Sequence, residues 1–312
     1  MKNYLNISKN RSTTNDVGAL DIIAVLKADY KIVLISVIGA SVLFAVCSLL
    51  IPNEFRAHAT IAPSQSNDFN ASQNLGGLGS IASLAGVSLT GGNVSESNLH
   101  LEMLTSRAFL IPFIEKEGIA PAILAAERWD PKSKEWVYDS KNYNPDNGGW
   151  IKSPSNSKPR KPHQLEYYQA FRKMLSISKD KTTGIITISV TSLSPESATT
   201  WLSKLITSAN NHVKENDVKQ FKENLAFLED QLTLISNNET QKIFYQLIQE
   251  QVHNLMLATV KKNYAFTVLD PAITPYKKDS PKRVAITIAG ALLGLLASSA
   301  IIIIRAASRT QR

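Results

Sequence analysis

Two stretches without a single charge constrain this chain more than any other feature. Residues 32–51 (IVLISVIGASVLFAVCSLLI) lie between Lys31 and Pro52, and residues 284–304 (VAITIAGALLGLLASSAIIII) between Lys282-Arg283 and Arg305. At about 1.5 Å of rise per residue, helices of this length cover roughly 30 Å, the hydrocarbon thickness of a bilayer. Core helices of soluble proteins rarely run so far uncharged with basic residues at their ends. Both stretches are therefore expected to cross a membrane. Ala57-His58-Ala59 imitates a signal-cleavage site. However, 31 residues precede the first stretch and it exceeds a signal's apolar core, so it is expected to be retained. Cys47 follows Val46, which is not the small residue that a lipoprotein signal requires.

Two spans set both chain ends on one side and residues 52–283 on the other. The 312 residues carry 34 Lys+Arg against 26 Asp+Glu, and a pI near 9.4 invites a nucleic-acid reading. The location of the charge argues against it. Residues 1–31 hold five basic and three acidic side chains, and 305–312 hold Arg305, Arg309 and Arg312. That leaves 26 basic against 23 acidic over the long middle, with no basic stripe. Short basic flanks stay cytoplasmic while long loops cross largely regardless of charge, so both termini are expected in the cytoplasm. The expected division is a cytoplasmic segment 1–31, span 32–51, an extracytoplasmic domain 52–283, span 284–304 and a cytoplasmic tail 305–312. Lys277, Lys278, Lys282 and Arg283 sit on the far side in this scheme and oppose it mildly.

Within the middle, Phe55 to Ala62 alternate as a half-buried strand does. Residues 63–96 are rich in Ser, Asn and Gly. The LGGLGSIASLAG at 75–86 lacks the leading strand and trailing acid of a dinucleotide loop. Residues 97–126 read as helix, with Leu101, Leu104, Ala108 and Phe109 on one face and a kink or division at Pro112. Residues 129–164, with five prolines and Trp129, Trp136 and Trp150, lose periodicity and read as a long surface excursion. A hairpin follows: Leu175 and Ile177, a turn at Thr182-Thr183-Gly184, then Ile186, Ile188 and Val190. Ser194-Pro195-Glu196 opens a helix as cap, first position and first-turn acid. Its apolar face is Ala198, Trp201, Leu202, Leu205, Ile206 and Ala209. Phe221, Leu225, Leu228, Leu232 and Ile235 then step by alternate fours and threes, the seam of a helix pair. Asn238 is expected to cap a second, antiparallel helix whose face is Ile243, Leu247, Val252, Leu255 and Met256. Ala265 to Leu269 is a last strand, ended by Asp270-Pro271. The expected fold is α+β: a mixed sheet of about four strands near the membrane, with long helices forming a protruding hairpin. Whether the seam packs within one chain or between chains stays open.

No chemistry announces itself. The five histidines are scattered without metal-ligand spacing, no phosphate-binding GxxxxGK[ST] loop or GxSxG elbow is present, and Cys47 lies inside a span. No catalytic, cofactor or metal residue is expected. What remains concerns assembly. Gly290 and Gly294 have the spacing that lets helices approach closely in lipid. Pro271, Pro275 and Pro281 stiffen the connector before the second span.

Three segments give the sequence a family resemblance. Leu20-Asp21-Ile22-Ile23-Ala24-Val25-Leu26-Lys27 looks like a short amphipathic lead-in to the first span. Pro52-Asn53-Glu54-Phe55-Arg56-Ala57 looks like a Pro-x-x-Tyr-x-Ala strand with Phe in place of Tyr. Val268-Leu269-Asp270-Pro271-Ala272, Pro275 and Pro281-Lys282-Arg283 resemble a proline-rich segment leading into the second span. Together they resemble the polysaccharide co-polymerases, the chain-length determinants of bacterial O-antigen and related glycans. The resemblance implies a non-enzymatic inner-membrane protein with a periplasmic domain. It also implies ring-like homo-oligomers that set polymer length alongside a separate integral-membrane polymerase. The implied partners are further copies of itself, the polymerase, the growing glycan and membrane lipid, with no nucleic acid. A tail without a P-loop favours the lipopolysaccharide type that has no kinase domain. The alternatives are an exopolysaccharide or capsule export partner, a two-span sensor and a membrane-anchored glycan-cleaving enzyme.

Overall fold

The computed structural model describes residues 30–64, 96–147, 149–151 and 161–310, with side chains described from 98 to 302 within that set and throughout 30–64. The lead-in at 20–27, the glycine-rich 75–86 and the side chains of the basic tail lie outside the described residues. The chain divides into two compact units, one holding the residues up to Pro52 and from Ser280, the other Asn53–Asp279.

The first unit is a pair of helices, α1 (Tyr30–Leu50) and α8 (Arg283–Thr310), packed against each other. Both are long and apolar enough to cross a membrane. Most of their large apolar side chains face outward, among them Ile35, Leu43, Leu50, Ile288 and Leu296. Such an outer surface suits a lipid solvent.

The second unit is built on a four-stranded sheet in the order β6–β7–β1–β8. Its strands are β1 (Phe55–Pro63), β6 (Leu175–Lys179), β7 (Ile186–Ser192) and β8 (Phe266–Asp270). Alternation does what period-two patterning requires: Ile186, Ile188 and Val190 are fully buried opposite Ile61, Ala59 and Ala57 of β1. In the turn between β6 and β7, Asp180 accepts from the N–H groups of Thr182 and Thr183, and Gly184 takes a φ of 71°. Those bonds hold the Asp180 carboxyl below its usual range. The expected mixed sheet is corrected here, because every pairing is antiparallel. β7 and β8 run the same way, as a crossover connection demands, but β1 is inserted between them and is antiparallel to both.

That crossover consists of two helices, α6 (Pro195–Leu234) and α7 (Asn238–Val260). Ser194 caps α6 by accepting from Ser197 N–H, with Pro195 first in the helix. The first half of α6 lies on β1 and β7, burying Ala198, Trp201, Leu202, Leu205, Ile206, Ala209 and Val213. Each buried Leu or Ile contributes about 1.5–3 kcal/mol. The cap of α7 is Asn237, one residue before the expected Asn238, through Oδ1 and Glu239 N–H. Its C-terminus is closed by Lys214 of α6, whose ammonium donates to the carbonyls of Thr259 and Lys261.

Residues 97–126 form three short helices, α2 (Glu96–Met103), α3 (Arg107–Lys116) and α4 (Ala120–Leu124). The divisions fall at Ser106, which caps α3, and at Gly118, where φ is 64°. Pro112 sits inside α3 on its exposed side. Ala108 is exposed, and Leu110 takes the buried place expected for it. α3 is latched to α5 (Gln164–Met174), where the buried Tyr167 hydroxyl and Gln164 donate to the Glu115 carboxylate. These bonds hold Glu115 below its ordinary range. Burial, reinforced by the carboxylate, pushes Tyr167 up to about 12. A tyrosine raised above its unfolded value near 10 stabilises the fold fully below that pH and loses the contribution as pH climbs through about 12. Glu115 behaves oppositely, with its contribution present above the unfolded value of 4.5 and lost as acid protonates the carboxylate. The stability difference between the native chain and Tyr167→Phe should therefore be constant near neutrality. It should shrink as pH rises from about 10 towards 12, as measured by denaturant unfolding across a pH series.

The excursion is where the sequence reading departs most from the structure. The described residues between 126 and 150 form two strand pairs, β2 (Ala126–Asp130) with β3 (Glu135–Tyr138), and β4 (Tyr143–Asn144) with β5 (Gly149–Trp150). Their cross-strand contacts are aromatic, Trp129 with Trp136 and Tyr143 with Trp150, and Tyr138 joins the two strand pairs through Tyr143. The first hairpin is docked on α6. Trp136 stacks on Trp201 with centroids 6.0 Å apart and planes at 7°, and Lys134 pairs with Glu196 at 3.2 Å. Trp136→Ala should cost about 1–3 kcal/mol by removing two ring contacts, with Trp201 and with Trp129. The released hairpin should then be nicked at Lys132 or Lys134 by trypsin well before the native one.

Candidate functional site

The sequence points to no reactive centre, and the described residues bring no three His, Cys, Asp or Glu side chains together as a metal site. One depression of about 530 Å³ opens between α3 and α5, lined by Arg107, Ala108, Ile111, Pro112, His163, Gln164 and Leu165. That lining holds no carboxylate, hydroxyl or thiol to act beside the histidine. Three structural features remain as candidates for assembly and anchoring.

The first is the point where the chain enters and leaves the second unit. β1 begins five residues after α1, and β8 leads through Pro271 and Pro275 toward α8. The two segments are bound together: β1 pairs with β8 over Thr60 to Pro63, and Asp279 N–H donates to Glu54 C=O at 2.8 Å. Arg56 reaches the Asp279 carboxylate at 3.0 Å, a half-exposed pair of modest worth. Pro271 is exposed, Pro275 half-buried and Pro281, reached through a cis bond, buried.

A side chain that the sequence reading missed secures the far end of β8. Asn210, buried on α6, accepts from the N–H groups of Ala265 and Phe266, both at 2.9 Å, and donates to Phe266 C=O at 3.1 Å. It serves β8 as a neighbouring strand would, on an edge with no strand among the described residues. Its signal lies in the helical register, four residues after Ile206 and three before Val213, where every other residue is apolar.

The second feature is the arm formed by α6 and α7. Phe221, Leu225, Leu228, Leu232 and Ile235 are all half-buried with exposed residues between them, along the stretch of α6 against which α7 packs. On α7 the shielded stripe is Phe244, Ile248, Gln251, Leu255 and Ala258. The expected Leu247, Val252 and Met256 point outward, because α7 carries apolar residues on more than one face. With Phe227, Leu234, Tyr245 and Val260 they leave an exposed apolar surface on the arm.

The third is the helix pair. Gly290 and Gly294 of α8 lie against α1. A Cβ at Gly290 would stand 2.7 Å from the Phe44 side chain; one at Gly294 would stand 2.8 Å from Ala40 Cβ and 3.0 Å from Ser36 O. Ser36 Oγ donates to Gly294 C=O at 3.3 Å.

No family model matches the chain, and no curated protein matches it. Solved structures do. The chain is similar to a full-length bacterial polysaccharide co-polymerase at 15% identity and a TM-score of 0.38, covering 94% of this chain and 99% of that one. It is similar to a fragment of WzzB, a polysaccharide co-polymerase from Salmonella Typhimurium, at 13% identity and a TM-score of 0.30, covering 73% of this chain and all of that one. A mutant of a Shigella flexneri lipopolysaccharide O-antigen chain-length regulator gives 13% identity and a TM-score of 0.27 over 72% of this chain and all of that one. These three solved structures are two bacterial polysaccharide co-polymerases and a chain-length regulator.

Proposed function

We propose that this protein is a membrane-anchored regulator of surface-polysaccharide chain length, of the lipopolysaccharide O-antigen type. It acts as a homo-oligomeric scaffold beside a separate polymerase and performs no reaction of its own. The observation that carries this reading is the joining of the two resemblance-bearing segments. The two segments are far apart in sequence, yet Glu54 and Arg56 of the first bond to Asp279 within the second, and the strand that the first one opens pairs with β8 through Thr60 to Pro63. A motif pair that builds one structural joint is better evidence of shared design than two separate short matches. The exposed apolar residues of the arm support self-association, the two membrane-length helices support anchoring, and the short basic flanks at 1–31 and 305–312 favour a periplasmic domain. Deleting the gene should replace the modal cluster of O-antigen bands on a lipopolysaccharide gel with a random length distribution, and complementation should restore it. An unchanged ladder with a changed capsule or exopolysaccharide would move the function to that export system.

A further inference from the structure

We propose that the segment before α8 is a headgroup-binding foot, in which Ile273 and Tyr276 enter the membrane interface and Lys277 and Lys278 bind anionic lipid. This rests on the membrane-anchored reading and names the lipid surface that it uses. Ile273 is 70% exposed and Tyr276 86%, in a part of the chain fixed at its end by the Asp279 to Glu54 bond and the Arg56 to Asp279 pair. Among the described residues, neither side chain packs into the core of its own unit. Lys277 Nζ lies 5.1 Å from the Tyr276 ring centroid, and Lys278 is 3.5 Å from the neutral Asn53 Oδ1. The one carboxylate within the segment, Asp279, is matched by Arg56, so the two ammonium groups remain as net charge.

Chain connectivity supplies the occupant. Glu54 is four residues beyond the end of α1 and Asp279 four before the start of α8, and four residues reach at most about 14 Å. The bonded pair is therefore tethered on both strands within reach of the headgroup layer and its roughly 8 Å screening zone. A tyrosine beside lysines at such a position is the composition of an interfacial anchor. It also gives a role to cations that otherwise stand against the expected orientation.

The test uses the full chain with Cys47→Ser and a fluorophore on a single cysteine at Ile273→Cys or, as control, Asn147→Cys. The protein is placed in nanodiscs of phosphatidylcholine alone or mixed with phosphatidylglycerol. Co-elution with the discs reports anchoring independently, so loss of the foot is distinguishable from loss of the membrane reading. A headgroup-borne quencher should quench the label at 273 about fivefold more than at 147 in anionic discs. Lys277→Ala with Lys278→Ala should remove most of that preference for anionic over neutral discs. Equal quenching at 273 and 147, the same quenching in both lipids, or shielding of 273 from aqueous and headgroup quenchers alike would each overturn the proposal.

Discussion

Replacing Asn210 by alanine should lower the stability of the sheet-bearing unit, Asn53–Asp279, by about 3–4 kcal/mol. The side chain serves three backbone groups: the N–H groups of Ala265 and Phe266 and the Phe266 carbonyl. Ala265 and Phe266 are themselves buried, so water cannot replace what the truncation removes. Each buried polar group left unpaired costs about 1–3 kcal/mol, and partial relaxation brings the sum to the stated range. In a unit of this size that corresponds to a fall in melting temperature of roughly 6–16 °C, readable by circular dichroism of the detergent-solubilised chain. Asn210→Asp should be no milder, because a carboxylate still accepts from both N–H groups but sets a buried negative charge against the Phe266 C=O. Asn211→Ala, on the exposed side of the same helix, should fall within about 0.5 kcal/mol of native. Equal losses at 210 and 211 would mean that α6, and not the clamp, is what the substitutions weaken. Because β8 runs directly into the proline-rich segment, loosening its start also loosens the joint on which the proposed function rests.

The clamp shows where reading the sequence succeeds and where it stops. Strands with one buried face announce themselves by alternation. The patterns at 55–62, 175–190 and 265–269 match β1, the β6–β7 hairpin and β8 to within a residue or two. Ser194-Pro195-Glu196 opens α6 because capping chemistry is local. Tertiary substitution is not local. Asn210 reads as a polar interruption of an apolar face until the edge strand that it completes is known. The strand pairs between 126 and 150 escape detection for a related reason. Their strands are two to five residues long, too short for periodicity, and are held by aromatic pairs and by Trp201 from a distant helix. The prolines nearby suggest loop, and the aromatic spacing that argues otherwise becomes meaningful only with the cross-strand register. The mixed sheet fails on topology: two helices return the chain beside β1, which no local pattern encodes. On α7, apolar residues on two faces made the outward Leu247, Val252 and Met256 indistinguishable in sequence from the stripe that packs on α6.

The second large effect is expected in the helix pair. In lipid no hydrophobic force draws two apolar helices together, so close backbone approach at small residues carries the association. Gly294→Leu should force α1 and α8 apart, because the new side chain meets Ser36 O and Val37 Cα, which cannot rotate away. Overpacking at such a site costs about 1–3 kcal/mol. Even alanine should loosen the pair at either glycine. A new Cβ at Gly290 would meet Phe44 Cβ at 2.7 Å and one at Gly294 would meet Ala40 Cβ at 2.8 Å and Ser36 O at 3.0 Å, atoms that no rotamer change moves. Spin labels at Leu34→Cys and Leu296→Cys, both outward-facing, in a Cys47→Ser chain would report the separation. The native pair should give one narrow distance distribution in nanodiscs, and Gly294→Leu a longer and broader one. Ser36→Ala should change it little, since interhelical hydrogen bonds in membranes average only about 0.6 kcal/mol. A narrow distribution that survives Gly294→Leu would show that the pair is held from its ends, by the joint at Glu54 and Asp279, and not by its own packing.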